Sequence, residues 1–176
     1  MSQSAKKPSY DANDFATKNR LRLWLKLLKL SRQVESELRD SFRVEFQTTL
    51  PRFDVMAALY RFPKGLLMNE LSEALKVSNG NVTGIVDRLV KDALLIRTAV
   101  PGDRRALRVK LTAAGKKEFL KQAIQHESWV DTLLSDITAD DADLMIALLD
   151  KADAKNLQEP PEQLSLIHIS EPTRPY

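Results

Sequence analysis

Seven residues between positions 78 and 88 carry groups suited to gripping or reading a nucleic-acid duplex: Ser78, Asn79, Asn81, Thr83, Gly84, Asp87 and Arg88. An asparagine amide can bond two edge atoms of adenine at once, and Ser and Thr hydroxyls can meet base edges or phosphates. Among them Val82, Ile85, Val86, Leu89 and Val90 recur at helical spacing. One helix would therefore hide an apolar face and present the polar one. Gly84 leaves room on that face for close backbone approach, at a helix cost of ~1 kcal/mol. Further on, Asp103-Arg104-Arg105 follows Pro101-Gly102. Guanidinium groups at such a hairpin tip suit the negative potential of a narrow minor groove. Each residue also has a plainer use. Ser78 or Asn79 can cap the helix, Arg88 can pair with Asp87 or Asp92, and an Asp-Arg-Arg turn can simply be solvated.

Catalytic chemistry has little support. The chain has no Cys, which excludes disulfides, thiolate metal sites and cysteine nucleophiles and fits a cytoplasmic location best. Of two histidines, only His126 lies before the C-terminal tail, and neither an HExxH pattern nor a P-loop occurs. No metal, no cofactor and no enzymatic activity are expected; a hidden site around His126 is the enzymatic alternative. The apolar stretch at residues 21–30 is broken by Arg22, Lys26 and Lys29, so no membrane span is expected, and the polar first ten residues resemble no signal peptide.

The elements that would position these groups follow from periodicity. Residues 1–11 are polar and aperiodic, which predicts a mobile arm. Residues 12–46 predict one long helix, with an apolar stripe through Leu23, Leu27, Leu30, Val34 and Leu38 and a second through Leu21, Trp24, Leu25 and Leu28, followed by Phe42 and Phe46. Two stripes imply burial on two sides. Thr48-Thr49-Leu50-Pro51 starts the next helix, with a Thr as cap and Pro in the first turn. A short helix over residues 68–76, with Leu71, Ala74 and Leu75 inward, precedes the break at Ser78-Asn79-Gly80-Asn81. Period-two alternation over residues 94–100 and 106–111 predicts a β-hairpin with residues 101–105 as its tip. Thr112 and Thr138 cap two further helices. The predicted fold is mainly α with a small β-hairpin wing, a winged helix-turn-helix, in which a second helix enters the major groove.

Charge is distributed accordingly. Residues 1–110 carry 21 basic against 12 acidic side chains, and residues 111–176 carry 6 against 12. The net +3 thus averages a basic front and an acidic rear, the pattern of a chain with one part facing a polyanion.

The run Leu71-Ser72-Glu73-Ala74-Leu75, the segment from Val77 to Leu89, then Leu94-Leu95-Ile96-Arg97, Asp103-Arg104-Arg105 and Leu111-Thr112-Ala113-Ala114-Gly115 resembles the MarR family of transcriptional regulators over about residues 15–152. The resemblance implies a homodimer on a pseudo-palindromic double-stranded DNA operator. Residues 12–46 and 112–156 would form the helical dimerisation region, and residues 47–111 the winged DNA-binding region. It also implies that Asp103 orients the wing tip while Arg105 enters the minor groove. An effector pocket is implied between the dimer helices and the DNA-binding lobe. Arg20, Trp24, Arg52, His126 and Trp129 are its candidates, a set suited to a planar aromatic anion. The first helix and Leu50-Pro51-Arg52-Phe53-Asp54-Val55 look most like members controlling aromatic-acid degradation, some of which sense aryl-CoA thioesters. A repressor released by such a ligand is the expectation, and a winged module binding protein rather than DNA is the alternative. Residues 164–176 resemble a translated sequencing adapter and are set aside as a non-native tail.

Overall fold

No proline or glycine interrupts residues 12–46, and they form a single helix, α1 (Ala12–Phe46), of 35 residues. The computed structural model describes residues 12–100 and 102–156, excepting the side chains of residues 12–14, 103–105 and 154–156. The expected arm at residues 1–11 and the tail at residues 164–176 lie outside the described residues. After α1 come α2 (Leu50–Arg61), β1 (Leu66–Leu67), α3 (Met68–Leu75), α4 (Asn79–Lys91), β2 (Leu95–Val100), β3 (Asp103–Leu111), α5 (Ala113–Leu133) and α6 (Ala139–Asn156). The chain divides after Leu133 into two compact units, the second containing α6.

In the first unit every element contributes to one apolar core. Phe42 of α1, Val55, Met56 and Leu59 of α2, Leu71 of α3, Val82, Val86 and Leu89 of α4, and Val109 of β3 are almost wholly buried. Phe119 and Ala123 of α5 close it. The C-terminal part of α1 joins this core through Leu38 and Phe42, whereas Leu21, Leu23, Trp24 and Leu25 are more than half exposed. Over the N-terminal half of α1 both stripes therefore lack full cover among the described residues of the unit, with only Leu27 and Leu28 half-buried.

Three local expectations need correction. Thr49 precedes α2 in extended conformation, but its side chain makes no capping bond; Pro51 and the backbone carbonyl of Thr49, which accepts from Arg52 and Phe53, begin the helix instead. Ala74 of α3 is exposed, leaving Leu71 and the half-buried Leu75 to face inward. Asp103, Arg104 and Arg105 are not a loop, because β3 starts at Asp103 and pairs antiparallel with β2. The alternation through Ala106, Arg108 and Lys110 simply continues upstream, and a solvated strand end can carry charges as well as a turn can. Register slips between Ala99 and Val100, where a bulge brings Val100 opposite Asp103.

The hairpin is also not alone. β1 pairs with the other edge of β3, giving the order β1-β3-β2. Gly65 precedes β1 at φ +81, and a Cβ there would stand 2.5 Å from the Val109 carbonyl oxygen, so glycine is required for the close approach. Gly115 has a similar duty, since a Cβ would lie 2.0 Å from the Leu94 oxygen. It sits on the first turn of α5, which Thr112 caps as expected: Gly115 N–H donates to Thr112 Oγ1 at 2.9 Å. The Thr112 hydroxyl in turn donates to the Ala93 carbonyl at 2.8 Å, anchoring α5 beside the end of α4.

In the second unit Thr138 caps α6 by accepting from Asp141 N–H at 3.2 Å and donating to the Asp141 carboxylate at 2.6 Å. Asp140 and Asp141 occupy the first turn, where the helix dipole favours negative charge. Leu144, Ile146 and Leu148 of α6 are more than half exposed.

Candidate DNA interface

The burial pattern of α4 divides the helix lengthwise. Val82, Val86 and Leu89 are fully buried, while Asn79, Asn81, Thr83, Gly84, Asp87 and Arg88 are exposed, as is Ser78 at the N-cap. The turn before it is made by α3 ending at Lys76, which takes left-handed φ +53 and donates its N–H to Glu73 O, while Val77 N–H donates to Ser72 O at 3.1 Å. This local closure ends α3 and passes the chain to α4 through three residues, 76–78.

The polar residues of α4 are not equivalent. Ser78 makes no side-chain cap bond. The Asn79 amide meets Ser72 Oγ, a buried hydroxyl that also lies 2.7 Å from Met68 O. One hydroxyl has one proton. The Ser72 hydroxyl can donate that proton to Asn79 Oδ1 or to Met68 O, and the contact with Asn79 holds α4 to α3. Thr83 donates its hydroxyl proton to Asn79 O at 2.8 Å, leaving lone pairs and a methyl group outward. Asn81 is exposed and makes no side-chain hydrogen bond to the described residues. Gly80 and Gly84 face open space, with nothing within 4 Å of a Cβ at either.

Charged groups complete the lobe. Asp87 pairs with Arg97 of β2, and Asp92 at the end of α4 pairs with Arg52 of α2 at 2.5 Å. Both carboxylates foreseen as partners for Arg88 are thus engaged elsewhere, and Arg88 forms no ion pair with the described residues. On β3, Arg108 donates to Gly65 O at 2.9 Å and lies 3.6 Å from Glu70, which itself accepts from Leu67 N–H at 2.7 Å. Asp103, Arg104 and Arg105 lie on the β3 backbone beyond this anchored section; their side chains lie outside the described residues.

Arg97, Arg108, Glu70 and Ser72 were not singled out from sequence. For Arg97 a signal existed. It pairs in register with Val109 and shares its strand face with Leu95, so a cation occupies a position that period two assigns to an apolar residue.

The five effector candidates separate into distant groups. His126 stacks on Phe53 at 4.8 Å and lies 6.0 Å from Phe42. Trp129 meets Phe42 edge-on at 5.2 Å and Phe46 at 5.9 Å. Burial lowers the His126 pKa below its usual 6.5, so the ring is neutral at pH 7. Arg52 is tied to Asp92. Arg20 and Trp24 are exposed on the N-terminal half of α1. Trp24 precedes Phe42 by eighteen residues on one continuous helix, about 27 Å at 1.5 Å per residue. One protomer therefore does not bring these five together. An open groove of about 290 Å³ beside Trp129 is lined by Asp40, Ser41, Val44 and Glu45; its carboxylates oppose an anionic ligand at that place. Asp54 retains exposed surface, yet burial of its carboxyl and the nearby charge of Glu35 push its pKa up to about 6, against Arg39.

Among the described residues, no three His, Asp or Glu side chains gather as a metal site, and no helix is long and apolar enough to cross a membrane. The comparisons with known proteins agree with the lobe. A family model described as "MarR family" matches residues 46–106. The HTH-type transcriptional regulator YkoM of Bacillus subtilis is 32% identical over 119 residues, 67% of this chain and 75% of that protein. The crystal structure of a MarR family transcriptional regulator from Silicibacter pomeroyi superposes with a TM-score of 0.69 at 34% identity, covering 81% of this chain and 98% of that one. A mutant MarR from E. coli complexed with operator DNA shares the fold, with a TM-score of 0.65 at 24% identity over 76% of this chain and 95% of that one. The family consists of transcriptional regulators, not enzymes. With its α4 face, its wing and these relatives, the chain belongs to the MarR family of winged helix-turn-helix transcriptional regulators.

Proposed function

We propose that the chain is a cytoplasmic, homodimeric regulator that binds pseudo-palindromic double-stranded DNA by sequence and represses transcription until a small aromatic effector releases it. One observation carries the DNA-binding reading. The outer face of α4 offers Asn81, Gly84 and Arg88 to solvent without an internal reason for their identity, beside Thr83, whose hydroxyl is bonded to Asn79 O. A helix-interior glycine costs ~1 kcal/mol, and no neighbour of Gly84 needs the space. The room on that face serves something outside the molecule. A duplex backbone fits, with α4 in the major groove and Arg104 and Arg105 beyond it on the wing.

The exposed apolar residues of α1 and α6 support a dimer, because a second copy is the simplest cover for Leu21, Leu23 and Trp24 and for Leu144 and Leu148. Two copies would present two α4 helices to half-sites about 34–36 Å apart, or a multiple. The test is selection of duplexes from a random-sequence library by the purified chain, followed by salt titration. The expected result is a palindrome of that spacing whose affinity falls steeply with salt as counterions are released. Failure to retain any duplex at low salt would refute the reading.

The effector belongs to the aromatic-acid class on the strength of Arg20 and Trp24, whose exposed guanidinium and indole suit a planar anion. Their distance from His126 and Trp129 means that a second copy would have to complete such a pocket. Release requires that the ligand bind the DNA-free arrangement more tightly than the DNA-bound one. A thermal-shift screen of aromatic acids and their CoA esters should raise the midpoint for at least one compound and weaken duplex binding by it. No response to any of them would remove the effector and leave a ligand-independent regulator.

A further inference from the structure

We propose that Arg97 is a positioning residue for DNA binding: through Asp87 it fixes the angle between α4 and the wing, so that helix and wing reach their grooves together. The inference rests on the DNA-binding reading but concerns a residue outside the contact surface. Arg97 and Asp87 form the ion pair that joins the ribbon to α4, with side-chain exposures of 31% and 54%.

Strand register explains why an arginine stands there. Leu95 and Arg97 of β2 lie opposite Leu111 and Val109 of β3, all three of these neighbours being buried. This face of the ribbon turns toward the core, and Arg97 follows Leu95 out along it to the edge, where its guanidinium meets the exposed flank of α4. Arg108 lies opposite Thr98, one residue out of phase, and so belongs to the other face. It bonds Gly65 O and approaches Glu70 of α3. The ribbon is thus held to α4 from one face and to α3 and the β1 approach from the other.

Leverage gives the contact its importance. Arg105 is four residues from Val109, the partner of Arg97, or about 13 Å along the strand. A tilt of about 10° at the ion pair would displace Arg105 by about 2 Å, enough to lose a groove contact that needs its group placed more closely than that. Asp87 also needs the pair for electrostatic reasons. A bare carboxylate on a surface facing phosphates repels them, and the Arg97 charge beside it offsets that repulsion. An exposed pair contributes little to folding stability, so the fold survives its loss while the docking angle does not.

The test uses the full chain and the duplex that the wild-type chain selects. Asp87→Asn and Arg97→Ala should each weaken that duplex about tenfold with the slope of log affinity against log salt unchanged. The double variant should be no weaker than the worse single. The thermal midpoints should stay close to wild type. Because the chain has no cysteine, Lys91→Cys and Leu107→Cys give two clean spin-label sites, one on α4 and one on the wing. Their distance distribution should be narrow in wild type and broad in either variant. A slope reduced by about one in Arg97→Ala would mark a phosphate contact and overturn the proposal, as would tighter binding by Asp87→Asn or an unbroadened distribution. If the wild-type chain selects no duplex, the functional reading fails, while the distance distribution still decides whether the pair sets the angle.

Discussion

The outer face of α4 and the pair His126 and Trp129 are both places where the residue types suit chemistry, and the structure uses them in opposite ways. On α4 the polar groups face solvent, and Gly84 leaves space that no internal neighbour uses. Around Phe42 the same kind of residue turns inward. His126 stacks on Phe53 and is kept neutral by burial, and Trp129 packs edge-on to Phe42. A chemically capable side chain with internal partners is explained by the fold. One without them needs an outside partner.

The largest effect that would sharpen this contrast is Phe42→Ala. Phe42 is fully buried and touches Phe46, Phe53, His126 and Trp129. Chemical denaturation should show a loss of about 3–5 kcal/mol, as for other buried aromatic truncations, and a loss below about 1 kcal/mol would mean the cluster is not core. Asn81→Ala should do the reverse, leaving the denaturation midpoint unchanged while discrimination at one base pair drops by about 1–3 kcal/mol. A competition assay with single-site duplex variants reads this; retention of full discrimination would remove Asn81 from the reading set.

Arg105→Ala should weaken all sequences alike and lower the salt slope by about one, the signature of a contact that carries charge more than sequence. A changed sequence preference with an unchanged slope would break that assignment. The smallest effect concerns His126. Its folded-state pKa is depressed, so its contribution to stability is present above the unfolded value of 6.5 and lost as pH falls through the folded value. His126→Phe should remove this part of the acid sensitivity in a thermal-midpoint series from pH 7 to 5. The same slope in both proteins would place the sensitivity in other groups.

These contrasts also show what was legible in the chain. The α4 pattern was readable because Val82, Val86 and Leu89 are locally periodic and their polar neighbours are small. The hairpin was readable from alternation, but β1 was not, since two leucines carry no period and their pairing depends on β3 more than forty residues away. Asp103 to Arg105 was read as a turn because turn and solvated strand end share the same residue types. Asn79 was placed among the DNA-reading residues, yet its amide is engaged by Ser72, a buried hydroxyl seven residues earlier. The effector set failed to assemble for the same reason: Arg52 finds Asp92 forty residues away, and Trp24 is set apart from Trp129 by about half the length of α1. Local patterns transmit faces; they do not transmit long-range partners.

Gly84→Ala tests the central claim most directly, because it sets the fold and the DNA-binding reading against each other. A methyl group there meets nothing within 4 Å, and alanine favours helix over glycine by up to ~1 kcal/mol. The thermal midpoint should therefore rise while affinity for the selected duplex falls. A raised midpoint with unchanged or tighter duplex binding would contradict the assignment of the α4 face to DNA.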